Sequence, residues 1–194
     1  MSVRLRLVEA ADSARLLRWR NSAEVAAFMY SDHQISQAEH DRWFAAAIAA
    51  SDRRYWIIEA DGEPVGLANL ARIDLSARKC EWAYYLGEPS TRGKGLGAGV
   101  EYIVLRHVFE SRGLNKLWCE VLAGNEAVWK MHQSFGFVRE ALFRDHVLKD
   151  GRLQDVVGLG MLKSDWDAAR PAIEARLRRL KGRGLAPEEL PDAP

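Results

Sequence analysis

The sequence predicts a single α/β domain built on a mixed sheet, and three observations predict it. Two Asp-Gly pairs, Asp61-Gly62 and Asp150-Gly151, each sit between two strand-like runs, the strongest short-range signal for a β-hairpin. Between these hairpins come "RKCEWAYYLG", a glycine-rich loop, a helical pattern and "KLWCEVLA", which make a strand–helix–strand crossover. The 194 residues show no internal repeat and no linker, and one domain of that size buries a proper core. Hairpins at both ends with a crossover between them require antiparallel and parallel pairing in one sheet.

Each element has its own local reason. "VRLRLVE" alternates apolar and charged residues as a half-buried first strand does. "DSARLLRWR" and "SAEVAAFMY" read as two short helices that Asp12 and Ser22 can cap. "SQAEHDRWFAAAIAA" is a longer helix opened by a capping box of Ser36 and Glu39. "RYWIIEADGEPVGLANLARIDL" is the first hairpin, and "RKCEWAYYLG" a long aromatic strand. Leu96, Val100, Ile103, Val104 and Val108 then recur at helical spacing, so that helix lays one face on the sheet. After the strand "KLWCEVLA", the short helix "NEAVWKMHQSFG" opens at Asn125 and closes at Gly136. "FVREALFRDHVLKDGRLQDVVGLGMLK" is the closing hairpin, whose exposed edge strand could pair across a dimer axis. "KSDWDAARPAIEARLRRLKGRG" starts a last helix, and "LAPEELPDAP" reads as a frayed, proline-rich tail. We therefore place the main domain at residues 1–165 and a C-terminal helix with its flexible tail at 166–194.

Composition excludes several classes. With 28 Lys plus Arg against 27 Asp plus Glu, the chain lacks the cation surplus that a general nucleic-acid binder uses to displace counterions. Charges interrupt every apolar run of "MSVRLRLVEAADSARLL", which fits neither a signal peptide nor a membrane span. Cys80 and Cys119 have no disulfide or zinc spacing, and no pair of histidines has metal-site spacing. A reduced cytoplasmic protein without a metal is expected. His33 and His146 are expected to be solvated, and His107 to face water.

The chemistry concentrates in "PSTRGKGLGAG", residues 89 to 99, where four glycines and two cations follow the aromatic strand. No Gly-Lys-Ser or Gly-Lys-Thr is present, so a Walker-type loop is excluded. The loose dinucleotide fingerprint fits Gly93, Gly95 and Ala98, but two helices and a hairpin precede it and too little chain follows for a doubly wound sheet. The pattern Arg-x-x-Gly-x-Gly, at Arg92, Gly95 and Gly97, resembles the acetyl-CoA loop of the GNAT N-acetyltransferase superfamily. A glycine turn at a helix N-terminus gathers unpaired N–H groups and the positive end of the helix dipole at one spot, which suits a pyrophosphate. On this resemblance the segment Arg92, Gly93, Lys94, Gly95, Leu96, Gly97 and Ala98 holds the diphosphate, with Arg92 and Lys94 adding charge-assisted contacts.

The resemblance runs over residues 3 to 165 in element order. It implies a single GNAT-type domain with a mixed, mostly antiparallel sheet flanked by helices, in which "EWAYYLG" and "KLWCEVLA" splay apart. The pantetheine would lie between them and pair with the backbone at Tyr84, Tyr85 and Leu86, one N–H facing the thioester oxygen. The superfamily carries "N…A…LY…GF" on the next helix, with the Tyr as general acid near the sulfur. Here "NEAVWKMHQSFGF" puts His132 at that position, an imidazole able to deliver a proton at neutral pH. His132 also shares a face with Val128, Met131 and Phe135, as a core histidine would. Glu120 is the candidate base, and either points into the cleft or lies on a solvated face. Asn125 is a cap first and a coenzyme contact second.

The segment "LLRWRNSAEVAAFM" resembles two GNAT branches, one acetylating ribosomal-protein N-termini and one a UDP-linked 4-amino-4,6-dideoxy sugar in pseudaminic acid synthesis, ahead of flagellin glycosylation. "MYSDHQISQAEHDRWF", Met29 to Phe44, resembles the second more closely. That branch implies acetyl-CoA as cosubstrate and a nucleotide-sugar acceptor, transferred by direct attack in a ternary complex. Met29 belongs to the motif; Tyr30, Trp43 and Phe44 could stack on the acceptor, and Arg20 and His40 could meet its diphosphate. As an alternative, Trp43 or Phe44 is core and Arg20 answers a helix dipole. A GNAT-shaped module that binds coenzyme without catalysis is the competing class.

Overall fold

The computed structural model describes residues 2–91, 93–181 and 186–187. The alternation of the first strand, β1 (Ser2–Leu7), buries Val3 and Leu5 completely and pairs them antiparallel with β2 (Arg54–Ala60). Between these strands lie α1 (Ser13–Arg20), α2 (Ala23–Ala26) and α3 (Gln37–Ala49). Ser22 caps α2 by accepting from the Val25 N–H, and Ser36 caps α3 by accepting from the Glu39 N–H. Asp12 does not cap α1: its carboxylate is taken by the Arg6 guanidinium and the Glu9 N–H, so no oxygen is left for the helix. The second helix stops at Ala26, short of the expected Tyr30, where Lys149 Nζ donates to the Ala26 carbonyl at 2.9 Å.

Both Asp-Gly pairs turn hairpins. Asp61 (φ 50°) and Gly62 (φ 84°) join β2 to β3 (Glu63–Asp74), and positive φ at both positions is the type I′ turn that matches strand twist. β3 pairs antiparallel with β4 (Lys79–Leu86), which the glycine loop links to α4 (Leu96–Arg106). Leu96, Val100, Ile103, Val104 and Leu105 of α4 are buried, each worth about 2 kcal/mol relative to exposure, so the loop before the helix is firmly anchored. A π-helical stretch, His107–Ser111, continues the helix. His107 is 8% exposed and packs edge-on against Trp56 at 5.5 Å, which corrects the expectation that it faces water.

β5 (Lys116–Leu122), α5 (Glu126–Ser134) and the hairpin β6 (Val138–Lys149) and β7 (Arg152–Leu162) complete the sheet. The helix α6 (Lys163–Lys181) places Trp166, Ile173 and Leu177 in the same core as α4. Part of the expected tail, β8 (Ala186–Pro187), lies parallel beside β1 rather than frayed; the rest lies outside the described residues. The strand order is β6-β7-β5-β4-β3-β2-β1-β8, with β6 outermost at one end. Among the described residues only β4–β5 and β1–β8 pair in parallel, so the sheet is mixed and mostly antiparallel. Among the described residues no helix is long and apolar enough to cross a membrane.

Candidate active site

The site begins where two strands part. β4 and β5 pair only at Lys79–Lys116, Cys80–Leu117 and Glu81–Trp118. Beyond that point β4 keeps its bonds to β3 through Leu86, and β5 keeps its bonds to β7 through Leu122. The facing edges of Trp82–Leu86 and Cys119–Leu122 therefore have no strand between them, and their backbone groups are left for another extended chain. The gap opens into a cleft of about 850 Å³.

Tyr84, Tyr85 and Leu86 line this cleft from β4, and Gly93, Gly95, Leu96, Gly97 and Ala98 line it from the loop and the start of α4. Gly93 and Gly95 have φ of 74° and 78°, a left-handed turn that side chains disfavour. At Gly97 a Cβ would meet the Tyr84 hydroxyl at 2.7 Å, so glycine lets the aromatic strand rest on the helix N-terminus. Lys94 is exposed and not part of the lining, and Arg92 lies outside the described residues. Asn125 lines the cleft, and its side chain makes no cap hydrogen bond to α5, which corrects the expectation that it is a cap first.

His132 of α5 faces the cleft from a site 3% exposed, ringed by Trp82 at 5.2 Å, Phe137 at 5.4 Å and Tyr84 at 6.4 Å. Its partner is not backbone. Nδ1 lies 3.0 Å from Oε1 of Glu101, a fully buried α4 carboxylate. Across the gap, the Glu120 side chain of β5 lines the cleft and accepts a hydrogen bond from the Tyr30 hydroxyl at 2.9 Å. Burial and then this carboxylate push the Tyr30 phenol up, so it stays a donor. Glu81 also lines the cleft; burial first, and Glu120 after it, raise its carboxyl despite Arg72 nearby. Burial likewise raises the Tyr84, Tyr85 and Cys119 groups, leaving them neutral at pH 7.

The acceptor end is assembled by contacts between distant segments. Met29 and Tyr30 line the cleft with Glu24 and Phe28. The tip of the β6–β7 hairpin holds their segment in place, through Lys149 and through the Asp150 N–H donating to Asp32. Four other expected acceptor residues lie off the cleft, Phe44 among them, packed on the cluster of Leu16, Trp19, Ile57 and Leu67. Arg20 donates to the Ser31 hydroxyl, His40 is buried with Nε2 3.0 Å from the Ser13 hydroxyl, and Trp43 packs edge-on against Tyr55. His40 ties α3 to α1, Arg20 ties α1 to the segment after α2, and Trp43 lays α3 against β2; none of them lines the cavity. Sequence reasoning missed Glu24, Glu81 and Glu101. For Glu101 a signal existed, since it falls three and four residues before Val104 and Leu105 on the apolar stripe of α4. Among the described residues, no cluster of three or more His, Cys, Asp or Glu could hold a metal.

A strand–loop–helix with a glycine turn, two parting strands and a cleft between them define an acyl-CoA-dependent transferase. The family model described as an acetyltransferase (GNAT) domain matches residues 2–138, and the chain belongs to that family. It is an acetyl-CoA-dependent N-acetyltransferase. It is 26% identical over 178 residues to the "Putative ribosomal N-acetyltransferase YdaF" of Bacillus subtilis, covering 87% of this chain and 95% of that one. It is 24% identical to "Acetyltransferase PseH" of Campylobacter jejuni, over 63% of this chain and 74% of the relative. In fold it is similar to spermidine N-acetyltransferase from Vibrio cholerae, solved in complex with CoA and spermine. The TM-score is 0.79 at 23% identity, covering 84% of this chain and 97% of that one.

The residues present fit the coenzyme. The unpaired edge of β4 offers backbone groups to an extended arm, and the left-handed turn at Gly93 and Gly95 opens onto the α4 N-terminus, a position whose N–H groups would suit a diphosphate.

Proposed function

We propose that the acceptor is the 4-amino group of a UDP-linked amino-dideoxy sugar, with His132 as general acid and Glu120 as base. The observation that carries this reading is the Tyr30–Glu120 hydrogen bond. It ties the segment beginning at Met29, whose sequence resembles the amino-sugar branch, to a carboxylate inside the cleft that also holds His132. Bound acetyl-CoA supplies an acetyl group activated as a thioester. Glu120 takes a proton from the incoming ammonium, and the β4 edge at Tyr84–Leu86 directs an N–H at the carbonyl oxygen as it gains charge. His132 delivers a proton to the departing sulfur. The aromatic lining at Tyr30 and Phe28 suits a sugar face or a base.

A second reading is favoured by one specific observation. Glu24, Glu81 and Glu120 line the cleft, and no Lys or Arg does among the described residues. Three carboxylates attract a cationic amine, and no Lys or Arg stands beside them to pair with the diphosphate of an acceptor, as would suit a polyamine. Release of free CoA thiol, measured with a UDP-4-amino-4,6-dideoxy sugar, spermidine and a peptide N-terminus, separates the readings. The sugar is expected to give a kcat/KM at least about tenfold above the others. Preference for spermidine would replace the sugar by a polyamine, and preference for the peptide would reassign the site to a protein N-terminus.

A further inference from the structure

Glu101 has no reason of packing to be where it is. It sits on the apolar face of α4, wholly buried, with Leu105 and Val104 beside it on the same stripe. One oxygen, Oε1, lies 3.0 Å from His132 Nδ1, and the other, Oε2, has no hydrogen-bond partner among the described residues. A buried carboxylate with a half-used acceptor set is costly, and an apolar side chain of the same size would remove the cost. Two groups thus share one contact directly behind the ring that faces the cleft.

We infer that Glu101 is a positioning residue for acetyl transfer, holding the His132 proton on Nδ1 so that Nε2 is the nitrogen that works in the cleft. This rests on the acetyl-transfer reading of His132 above. An ionised Glu101 is only an acceptor, so it selects the ring form in which Nδ1 carries the hydrogen and Nε2 carries the lone pair. The amine nitrogen attacks the thioester carbon, the new C–N bond forms, and the oxygen takes the negative charge. Glu120 has already taken the first proton of the ammonium; Nε2 accepts the second, which the newly bonded nitrogen must lose, and the ring becomes an imidazolium whose charge Glu101 offsets. As the carbonyl re-forms, the C–S bond breaks with its electron pair on sulfur, and Nε2–H returns the same proton to that sulfur. The products are an amide and a free thiol, and His132 ends as it began. Without Glu101 the ring is free to carry its proton on Nε2, where it cannot accept another.

Two variants and two readouts test this on the full chain. Glu101→Gln keeps the size and one acceptor oxygen but removes the charge that answers the imidazolium. We expect kcat to fall about 10- to 100-fold with the KM for acetyl-CoA within about twofold of the wild type, and unchanged thermal unfolding. A folded Glu101→Gln enzyme with kcat within about twofold of the wild type would overturn the proposal. The second readout does not depend on turnover. In long-range 15N spectra of the CoA-bound wild type near pH 8, His132 should appear with its proton on Nδ1, and in Glu101→Leu that pattern should be lost. A wild-type ring protonated on Nε2 alone, or identical spectra in wild type and Glu101→Leu, would also overturn it. If no amine is acetylated but the spectra come out as expected, the reading of the reaction has failed and the assignment of Glu101 has not.

Discussion

Two groups of buried carboxylates in this molecule are matched in opposite ways. On β1 and β2, Glu59 receives Arg6 Nε at 2.7 Å on one oxygen and Arg4 Nη2 at 2.6 Å on the other. Asp12 receives Arg6 on both oxygens, with Arg15 and the Glu9 N–H in addition. Glu101, more deeply buried than either, has one imidazole on one oxygen and, among the described residues, no partner on the other. A cluster whose task is to hold strands and a helix together spends every acceptor on a permanent cation. The dyad beside the cleft keeps one partner whose charge can change. On the mechanism proposed above, that difference separates a structural site from one that moves a proton.

The sharpest way to break the comparison is at His132 itself. His132→Phe keeps an aromatic ring among Trp82, Tyr84 and Phe137 but strips Glu101 of its hydrogen-bond partner, so it should cost about 3 kcal/mol in denaturant unfolding, and turnover is read per folded molecule. We expect kcat to fall by about 10²- to 10⁴-fold, with acetyl-CoA affinity little changed, in steady-state assays. Full turnover would remove the imidazole from the mechanism. Next comes Arg6→Gln, which leaves Asp12 and Glu59 short of their shared cation. It should cost about 3 kcal/mol in denaturant unfolding at pH 7, while kcat per folded molecule stays at the wild-type value.

The same variant carries a pH signature. Burial alone would raise the Asp12 and Glu59 carboxyls; hydrogen bonds from Arg6 to Asp12, and from Arg4 and Arg6 to Glu59, outweigh it and hold both below the ordinary range. Groups lowered in the folded state stabilise it above their unfolded pKa, about 4, and lose that contribution as pH falls through the folded value. Unfolding free energy should therefore decline below about pH 4 in the wild type and decline less steeply in Arg6→Gln. Parallel curves would mean that the cluster is not the source of acid sensitivity. The smallest effect is expected at Tyr30→Phe, which removes the hydroxyl that Glu120 accepts from. The acceptor KM should rise about three- to tenfold with the acetyl-CoA KM unmoved.

Much of the frame could be read from local signals, because local physics decides it. Asp61-Gly62 and Asp150-Gly151 are pairs whose turn type permits little else, and the spacing of Leu96, Val100 and Ile103 leaves α4 one face to bury. The glycine loop was legible for the same reason, since positive φ at Gly93 and Gly95 is a property of those residues. What the sequence could not reveal depends on segments far apart in the chain. Tyr30 meets Glu120 ninety residues on, and Glu101 meets His132 thirty-one residues on. Arg20, His40 and Trp43 were expected at the acceptor because they share its segment. Competing partners closer by, Ser31, Ser13 and Tyr55, take them instead. Asn125 misled in a related way, as a residue with the chemistry of a cap whose side chain lines the cleft.

Everything functional here depends on the gap between β4 and β5 receiving the coenzyme. Backbone 1H–15N shifts followed during titration with CoA test that directly. The largest changes should fall on Trp82–Leu86, Gly93–Ala98 and Cys119–Leu122, with the His132 ring moving alongside them. Saturable binding whose shifts lie elsewhere on the sheet, or no binding at millimolar CoA, would contradict it.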